Sequence, residues 1–408
     1  MYKLIVVGGG PAGMLGAATA GKNGLKVALL EKNDTLGKKL YITGSGRCNV
    51  TNSGVIDDFP KSIVTNGKFM YSAFTAFSNL QLINLMDSLG VKVKVERNNR
   101  VFPASDRSAD IVGALYKHLL KNQVEIRLNT GVREILVKDC QVCGVVLRDG
   151  SLMKGSRVIL AVGGASYRQT GSTGDGYRMA KKLGHNIIEP RPALVPLMTA
   201  EKWIKDLQGI TLENVRVQAL TGRRIAEQQG EMLFTHFGLS GPAILNLSSY
   251  LSRHSKFPVK ITIDLLPLPS LEQVEDTLRR CLKQNGGKHL KNALGGLLPQ
   301  KMSPVIFEIA DLDPRKLVSQ VTRGDINLLA RILKGLTVTV TGTRPLNEAI
   351  ITSGGIDTKE INPSTLESKI IRGLYFAGEV IDVDALSGGY NLQIAFSTGY
   401  LSGLSASM

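Results

Sequence analysis

The 408-residue chain is short of cysteine, tryptophan, aromatics and acids. Its four cysteines, Cys48, Cys140, Cys143 and Cys281, are too few for a disulfide framework in a chain of this length. Cys140 and Cys143 form a lone C-x-x-C with no second pair and no nearby histidine. That excludes a zinc finger pattern, and no metal is expected. No apolar stretch reaches the ~18 residues that a spanning helix needs, so no membrane span is expected. The N-terminal apolar run is short and enters a glycine turn at once, as a core strand does and a signal peptide does not, so a cytoplasmic location is expected. Lysine and arginine number 50 against 34 acids, a net charge of +16. The basic residues are scattered and few aromatics lie among them. No nucleic-acid-binding signature accompanies them, so the charge is read as attraction to anionic small molecules rather than to nucleic acid.

What the chain does have is one organising stretch, Lys3 to Glu31. An apolar run, Leu4 to Val7, reads as a buried parallel strand. Gly8, Gly10 and Gly13 follow as G-x-G-x-x-G, with Pro11 and Ala12 inside the turn. A small-residue helix from Met14 to Lys22 leads to a second apolar run that ends on Glu31, 18 residues past Gly13. Gly8 permits a tight turn, Gly10 lets the backbone approach a pyrophosphate, and Gly13 lets helix and strand pack closely. The helix N-terminus faces the phosphates, and Glu31 can bond a ribose hydroxyl. The motif lies between strand and helix, so it is read as dinucleotide-binding rather than as an empty glycine turn.

A second glycine-rich segment, Gly37 to Asn52, is dense in donors: Lys38, Lys39, Ser45, Arg47, Asn49, Thr51 and Asn52. It follows the strand bearing the ribose acid and is expected to close over the far side of a dinucleotide, with Arg47 pairing a pyrophosphate or a substrate carboxylate. Flavin disulfide reductases carry two cysteines five apart in this region. Here the residue five past Cys48 is Ser53, which excludes such a relay. Cys48 is read as a buried small residue or as a neighbour of a cofactor ring.

Helical periodicity covers Phe69 to Leu89 and Ala109 to Asn122, and Glu134 to Leu147 reads as a hairpin. The run Arg157 to Val162 is a buried strand ending in Gly163 and Gly164. The loop Thr170 to Gly176 opens a helix that Thr173 or Asp175 could cap. From Pro190 the βαβ rhythm is lost. Residues 191–336 read as an inserted module, with a small β part over about 191–266 and a helical part over about 267–336. His236, among aromatics in that module, is a candidate substrate contact or proton donor. A strand beginning at Leu336 is expected to return the chain to the first domain. The strand Leu374 to Phe376 then leads to Gly378 and the acid Glu379. The final small-residue helix opens at Gly388-Gly389-Tyr390-Asn391-Leu392-Gln393.

This order places a dinucleotide fingerprint first, an acid on a late strand, and a glycine-led helix last. It fits FAD in a glutathione-reductase-like α/β fold better than NAD in a simple dehydrogenase. The FAD-binding domain would comprise 1–190 and 337–408, drawn from both ends of the chain. The segments GGGPAG, GKKLYITGSGRCNVTN, TGSTGDGY, GEMLFTHFGLSGPAIL and GLYFAGEVIDVDALSGGYNLQIAFSTG together resemble the bacterial YhiN-like flavoproteins. Members of that family carry the labels NAD(P)/FAD-dependent oxidoreductase, aminoacetone oxidase and 3-dehydro-bile-acid Δ4,6-reductase. The resemblance implies FAD contacts at Gly8, Gly10, Pro11, Ala12, Gly13, Glu31, Lys32, Lys38, Ser45, Gly46, Arg47, Cys48 and Asn49. It implies others at Val132, Gly163, Gly164, Gly378, Glu379, Asn391, Leu392 and Gln393. It supplies no agreed catalytic residue, which leaves Cys48 and His236 as candidates.

The expected chemistry is hydride transfer between a small organic substrate and flavin N5. No second G-x-G-x-x-G domain is present, so NAD(P)H would be a transient co-substrate of a reductase, whereas an amine oxidase would need only oxygen. A flavoprotein that modifies RNA is the alternative that the net charge of +16 suggests. An FAD-binding electron-transfer partner is a third. The sequence carries no signal for oligomeric state.

Overall fold

The computed structural model describes residues 1–221, 224–254 and 256–408. It divides into two compact units, Met1–Ala193 with Leu346–Met408, and Leu194–Pro345.

The first unit is built on a parallel sheet. Strand β1 (Tyr2–Val7) lies between β2 (Val27–Leu30) and the long strand Leu152–Leu160. Glu125–Arg127 extends the sheet beyond β2, and Leu374–Phe376 pairs in parallel with the long strand. A hairpin, Val132–Lys138 with Gln141–Leu147, joins antiparallel to the start of the long strand. The apolar runs are continuous because both faces of this sheet are covered. Ile5, Val7, Ala28, Leu30, Val158 and Leu160 enter one core. Leu4, Val6, Val27, Leu29 and Ile159 enter the other, which also holds helix α1 (Pro11–Lys22).

Helix α1 packs against the terminal helix Tyr390–Ser405 backbone to backbone. A Cβ built on Gly399 would lie 2.3 Å from the Ala12 carbonyl oxygen, and one on Gly403 would lie 2.3 Å from that of Gly16. The small-residue composition of both helices is therefore a packing requirement. The predicted single helix Phe69 to Leu89 is two, Tyr71–Ala76 and Asn79–Ser88. Ser78 and Gln81 form a capping box that starts the second, and it overrides the continuous apolar periodicity.

In the second unit, six strands close an antiparallel barrel: Leu197–Thr199, Gly238–Ser240, Arg224–Thr235, Thr211–Thr221, Val259–Asp264 and Leu336–Thr343. Helices Leu271–Gln284, Met302–Ile309 and Arg323–Lys334 fall between its last two strands in sequence and share its core. Leu336–Thr343 pairs with Val259–Asp264 and with Leu197–Thr199. It closes the barrel rather than returning to the first unit, so the return falls at Leu346 and not at 337.

Candidate functional site

The strands β1, β2, Leu152–Leu160 and Leu374–Phe376 are parallel, so their carboxyl ends share one edge of the first unit. That edge is where ligands of open α/β sheets bind. Each of these strands delivers a predicted site segment there: Gly8 to Gly13 after β1, Glu31 after β2, Gly163 and Gly164 after the long strand, and Gly378 and Glu379 after the last.

The first turn has the geometry of a phosphate cradle. Gly8 has φ +108°, and a Cβ there would lie 2.4 Å from the carbonyl oxygen of Ala161. A Cβ on Gly13 would lie 1.9 Å from the Gly8 carbonyl oxygen, so the helix can start this close to the strand only with glycine. Gly10 differs: among the described residues nothing lies within 4 Å of a Cβ built there. Gly10 is also the N-cap of α1, with Pro11 next, no side-chain cap and no acid in the first turn. The helix presents its N–H groups and its positive end to open space, as an anion site requires.

Glu31 is buried, and its carboxylate is tied in place. Oε2 accepts the N–H of Gly9 at 2.7 Å, while Oε1 accepts the backbone N–H and side-chain amide of Asn33 at 2.9 and 2.8 Å. Next to it, Lys32 donates to Thr173 at 2.7 Å and to Asp175 at 2.8 Å. Neither Thr173 nor Asp175 caps the following helix. Gly174, in the left-handed region, is its N-cap, and the two side chains serve Lys32 instead. Burial raises the Asp175 pKa, but Lys32, Thr173 and Arg148 outweigh it and hold the carboxyl below its ordinary value.

Glu379 stands at the end of the last strand. Lys39 donates to its Oε2 at 2.7 Å and its Oε1 at 3.0 Å, and the backbone N–H of Thr352 donates to Oε1 at 2.8 Å. Lys39 also reaches the hydroxyl of Ser166 at 2.7 Å. Ser166 and Thr352 are not among the expected contacts, and Lys39 is among them only as one donor of the segment Gly37 to Asn52. Lys38, which is, pairs with exposed Asp34, four residues earlier in the loop before its helix, at 2.8 Å.

Other expected contacts are spoken for by the fold. The Arg47 guanidinium bonds Glu96 and Asp106 and lies 4.1 Å from the ring centroid of Phe102. Asp106 is also held by Lys94. Arg47 is thus a strut of the small sheet Thr51–Asn52, Arg100–Pro103 and Val93–Glu96. Cys48 is fully buried, and burial pushes its thiol up to about 12, which disfavours the thiolate a nucleophile needs. The Asn391 amide bonds Ala385 and Leu386, and that of Gln393 bonds Thr51, Phe77 and Ser397. What the terminal helix offers is its N-terminus, where Gly389 is a left-handed N-cap without a side-chain cap. Val132 is buried at the start of its strand, and Leu392 packs on the α1 core. Ser45 and Gly46 are in the left-handed region, at φ 57° and 86°. His236 lies in the other unit, exposed in the tight turn between barrel strands Arg224–Thr235 and Gly238–Ser240, with its ring edge-on to Phe237.

The residues of the first unit fit FAD. The cradle at Gly8 to Gly13 is open, the N-termini of α1 and of the terminal helix both follow glycine N-caps, and acids stand on two strand ends. Asn49 adds a buried Oδ1 with no hydrogen-bond partner among the described residues, an atom that a bound hydroxyl or ring N–H would satisfy.

Comparison with known proteins agrees. Residues 2–405 match the family described as HI0933-like protein Rossmann domain. The chain is 32% identical to a 3-dehydro-bile acid delta(4,6)-reductase of Clostridium scindens, over 100% of this chain and 99% of that protein. It is also 32% identical to a ribosomal RNA dihydrouridine synthase of Haemophilus influenzae, over 99% of this chain and 98% of that protein. Among solved structures, a 3-ketosteroid delta1-dehydrogenase from Sterolibacterium denitrificans shares the fold at TM-score 0.53 and 13% identity, over 100% of this chain and 99% of that one. No helix among the described residues is long and apolar enough to cross a membrane. The chain is a member of the HI0933-like family of FAD-binding Rossmann oxidoreductases.

Proposed function

We propose that this protein is an FAD-dependent reductase of small organic molecules that adds hydrogen across a carbon–carbon double bond conjugated to a carbonyl. The bound flavin would supply the hydride from N5, with NAD(P)H as its reductant. One observation carries this reading. The two full-length relatives with different names describe one kind of chemistry. A Δ4,6 reductase of a 3-dehydro bile acid acts on double bonds conjugated to a 3-oxo group. Dihydrouridine is uridine with hydrogen added to the ring double bond conjugated to a carbonyl.

The protein's own residues would bind and orient. The N-terminus of α1 would take the diphosphate, and Glu31, preset by Gly9 and Asn33, a ribose hydroxyl. Glu379 would accept from the ribityl chain. The positive end of the terminal helix would favour negative charge on the ring system.

The test is anaerobic. FAD-loaded protein is mixed separately with NADH, NADPH and simple amines while the flavin absorbance is followed. Bleaching by a pyridine nucleotide supports the reductase. Bleaching only by an amine, with peroxide formed on adding air, replaces it with an oxidase.

A second reading is favoured by the net charge of +16 together with the dihydrouridine synthase relatives, at 32% and 31% identity: the double bond reduced is that of a uracil in RNA. RNA affinity that falls steeply with salt would support it, and no binding at low salt would remove it.

A further inference from the structure

The two acids at the cofactor edge are held in different ways. The carboxylate of Glu31 receives neutral donors, two backbone N–H groups and an amide. The carboxylate of Glu379 receives an ammonium, that of Lys39, on both oxygens. This is not a surface ion pair, because each side chain is only 21% exposed. Glu379 also directly follows a residue that touches the phosphate cradle. A Cβ built on Gly378, its neighbour, would lie 3.0 Å from the Cβ of Ala12, in the first turn of α1. A carboxylate placed there opposes the negative charge of a diphosphate at the same helix end, and partial burial strengthens the repulsion.

We propose that Lys39 is the charge-balancing residue of the cofactor site. By neutralising Glu379, it lets an acid that bonds a sugar hydroxyl stand next to the diphosphate. Ser166 fixes the ammonium in that position, and the Thr352 N–H fixes the carboxylate. The inference rests on the FAD reading and adds to it a residue that the glycine fingerprint does not specify. It assigns adjacent Lys38, paired outward to Asp34, no such part.

The test is a double-mutant cycle on FAD affinity. Apoprotein of the wild type and of Lys39→Met, Lys39→Arg, Glu379→Gln and the double variant Lys39→Met/Glu379→Gln is titrated with FAD, read by quenching of flavin fluorescence. Circular dichroism melting of each apoprotein reports folding. Loss of Lys39 should weaken FAD binding about 10- to 100-fold when Glu379 is present, and about threefold or less when it is glutamine. Lys39→Arg should retain binding within about fivefold. A Lys39→Met variant that binds like wild type, or that loses equally in both backgrounds, overturns the proposal. Should Lys39→Met fail to fold, Lys39→Gln, which keeps a donor without the charge, takes its place in the cycle. Wild-type protein that binds no FAD would instead overturn the underlying cofactor assignment, and the two failures are distinct.

Discussion

The carboxylate of Glu31 and the backbone N–H of Gly9 meet at 2.7 Å, so the end of β2 holds the shape of the turn after β1. The acid that would bond a ribose is therefore also a strut of the phosphate loop. Replacing Glu31 with alanine should lower FAD affinity about 10- to 100-fold, the worth of a charge-assisted hydrogen bond and its sugar contact. Glutamine, which keeps one acceptor, should lose less. Equilibrium titration of apoprotein with FAD checks both.

Gly10 and Gly13 stand three residues apart in one motif and should fail in opposite ways. A methyl on Gly10 enters open space, with φ already at −78°. Gly10→Ala should leave apoprotein stability within about 1 kcal/mol of wild type and still impair FAD binding, because the methyl occupies the approach to the helix end. A methyl on Gly13 meets the Gly8 carbonyl oxygen at 1.9 Å. Gly13→Ala should destabilise the apoprotein by about 2 kcal/mol or more. Thermal melts of the two apoproteins separate the cases.

The helix pair predicts a stability effect at a distance from the turn. Gly399→Ala would press a methyl to 2.3 Å from the Ala12 carbonyl oxygen. The helices would have to part, at about 1–3 kcal/mol, and urea unfolding midpoints should fall accordingly.

Burial of Cys48 has a pH signature. Burial pushes its thiol from an ordinary 9.0 up to about 12 in the fold. Above the unfolded value the unfolded chain loses a proton that the native state keeps. The thiol's contribution to stability is thus full below that pH and is lost as pH rises from about 9 toward 12. Cys48→Ala should give a shallower decline in melting temperature over that window. In native protein, exposed Cys140 and Cys143 should react with a thiol reagent at pH 8 while Cys48 stays protected.

Much of the first unit is legible in the sequence because its determinants are local. Apolar runs at β1, β2 and Arg157 to Leu160 reflect a sheet covered on both faces, and the glycines mark where backbones touch. Glu379 is readable as an acid after a late strand. Lys39 is not, because Lys38 and Lys39 are adjacent on the short helix Lys38–Ile42, about 100° apart around its axis, and only a partner 340 positions away selects between them. The pairing of Arg47 is not readable either, since its partners Glu96 and Asp106 lie 49 and 59 positions on. The barrel is hidden because its closing strand, Leu336–Thr343, follows three helices, and no local signal ties it to Val259–Asp264. The Ser78–Gln81 capping box was readable, but the apolar periodicity running through it masks the break.

Delivery of hydrogen to a conjugated double bond by FAD held at this edge is the reaction we propose. Its most direct test is a single anaerobic turnover: FAD-loaded protein is freed of oxygen, reduced photochemically, and mixed with a 3-oxo-4,6-diene steroid or with uridine-containing RNA, while flavin absorbance and product mass are followed. The oxidised flavin spectrum should return, matched one for one by an organic product heavier by two hydrogens. Flavin that stays reduced with both substrates, and is reoxidised only by oxygen with release of peroxide, would contradict it.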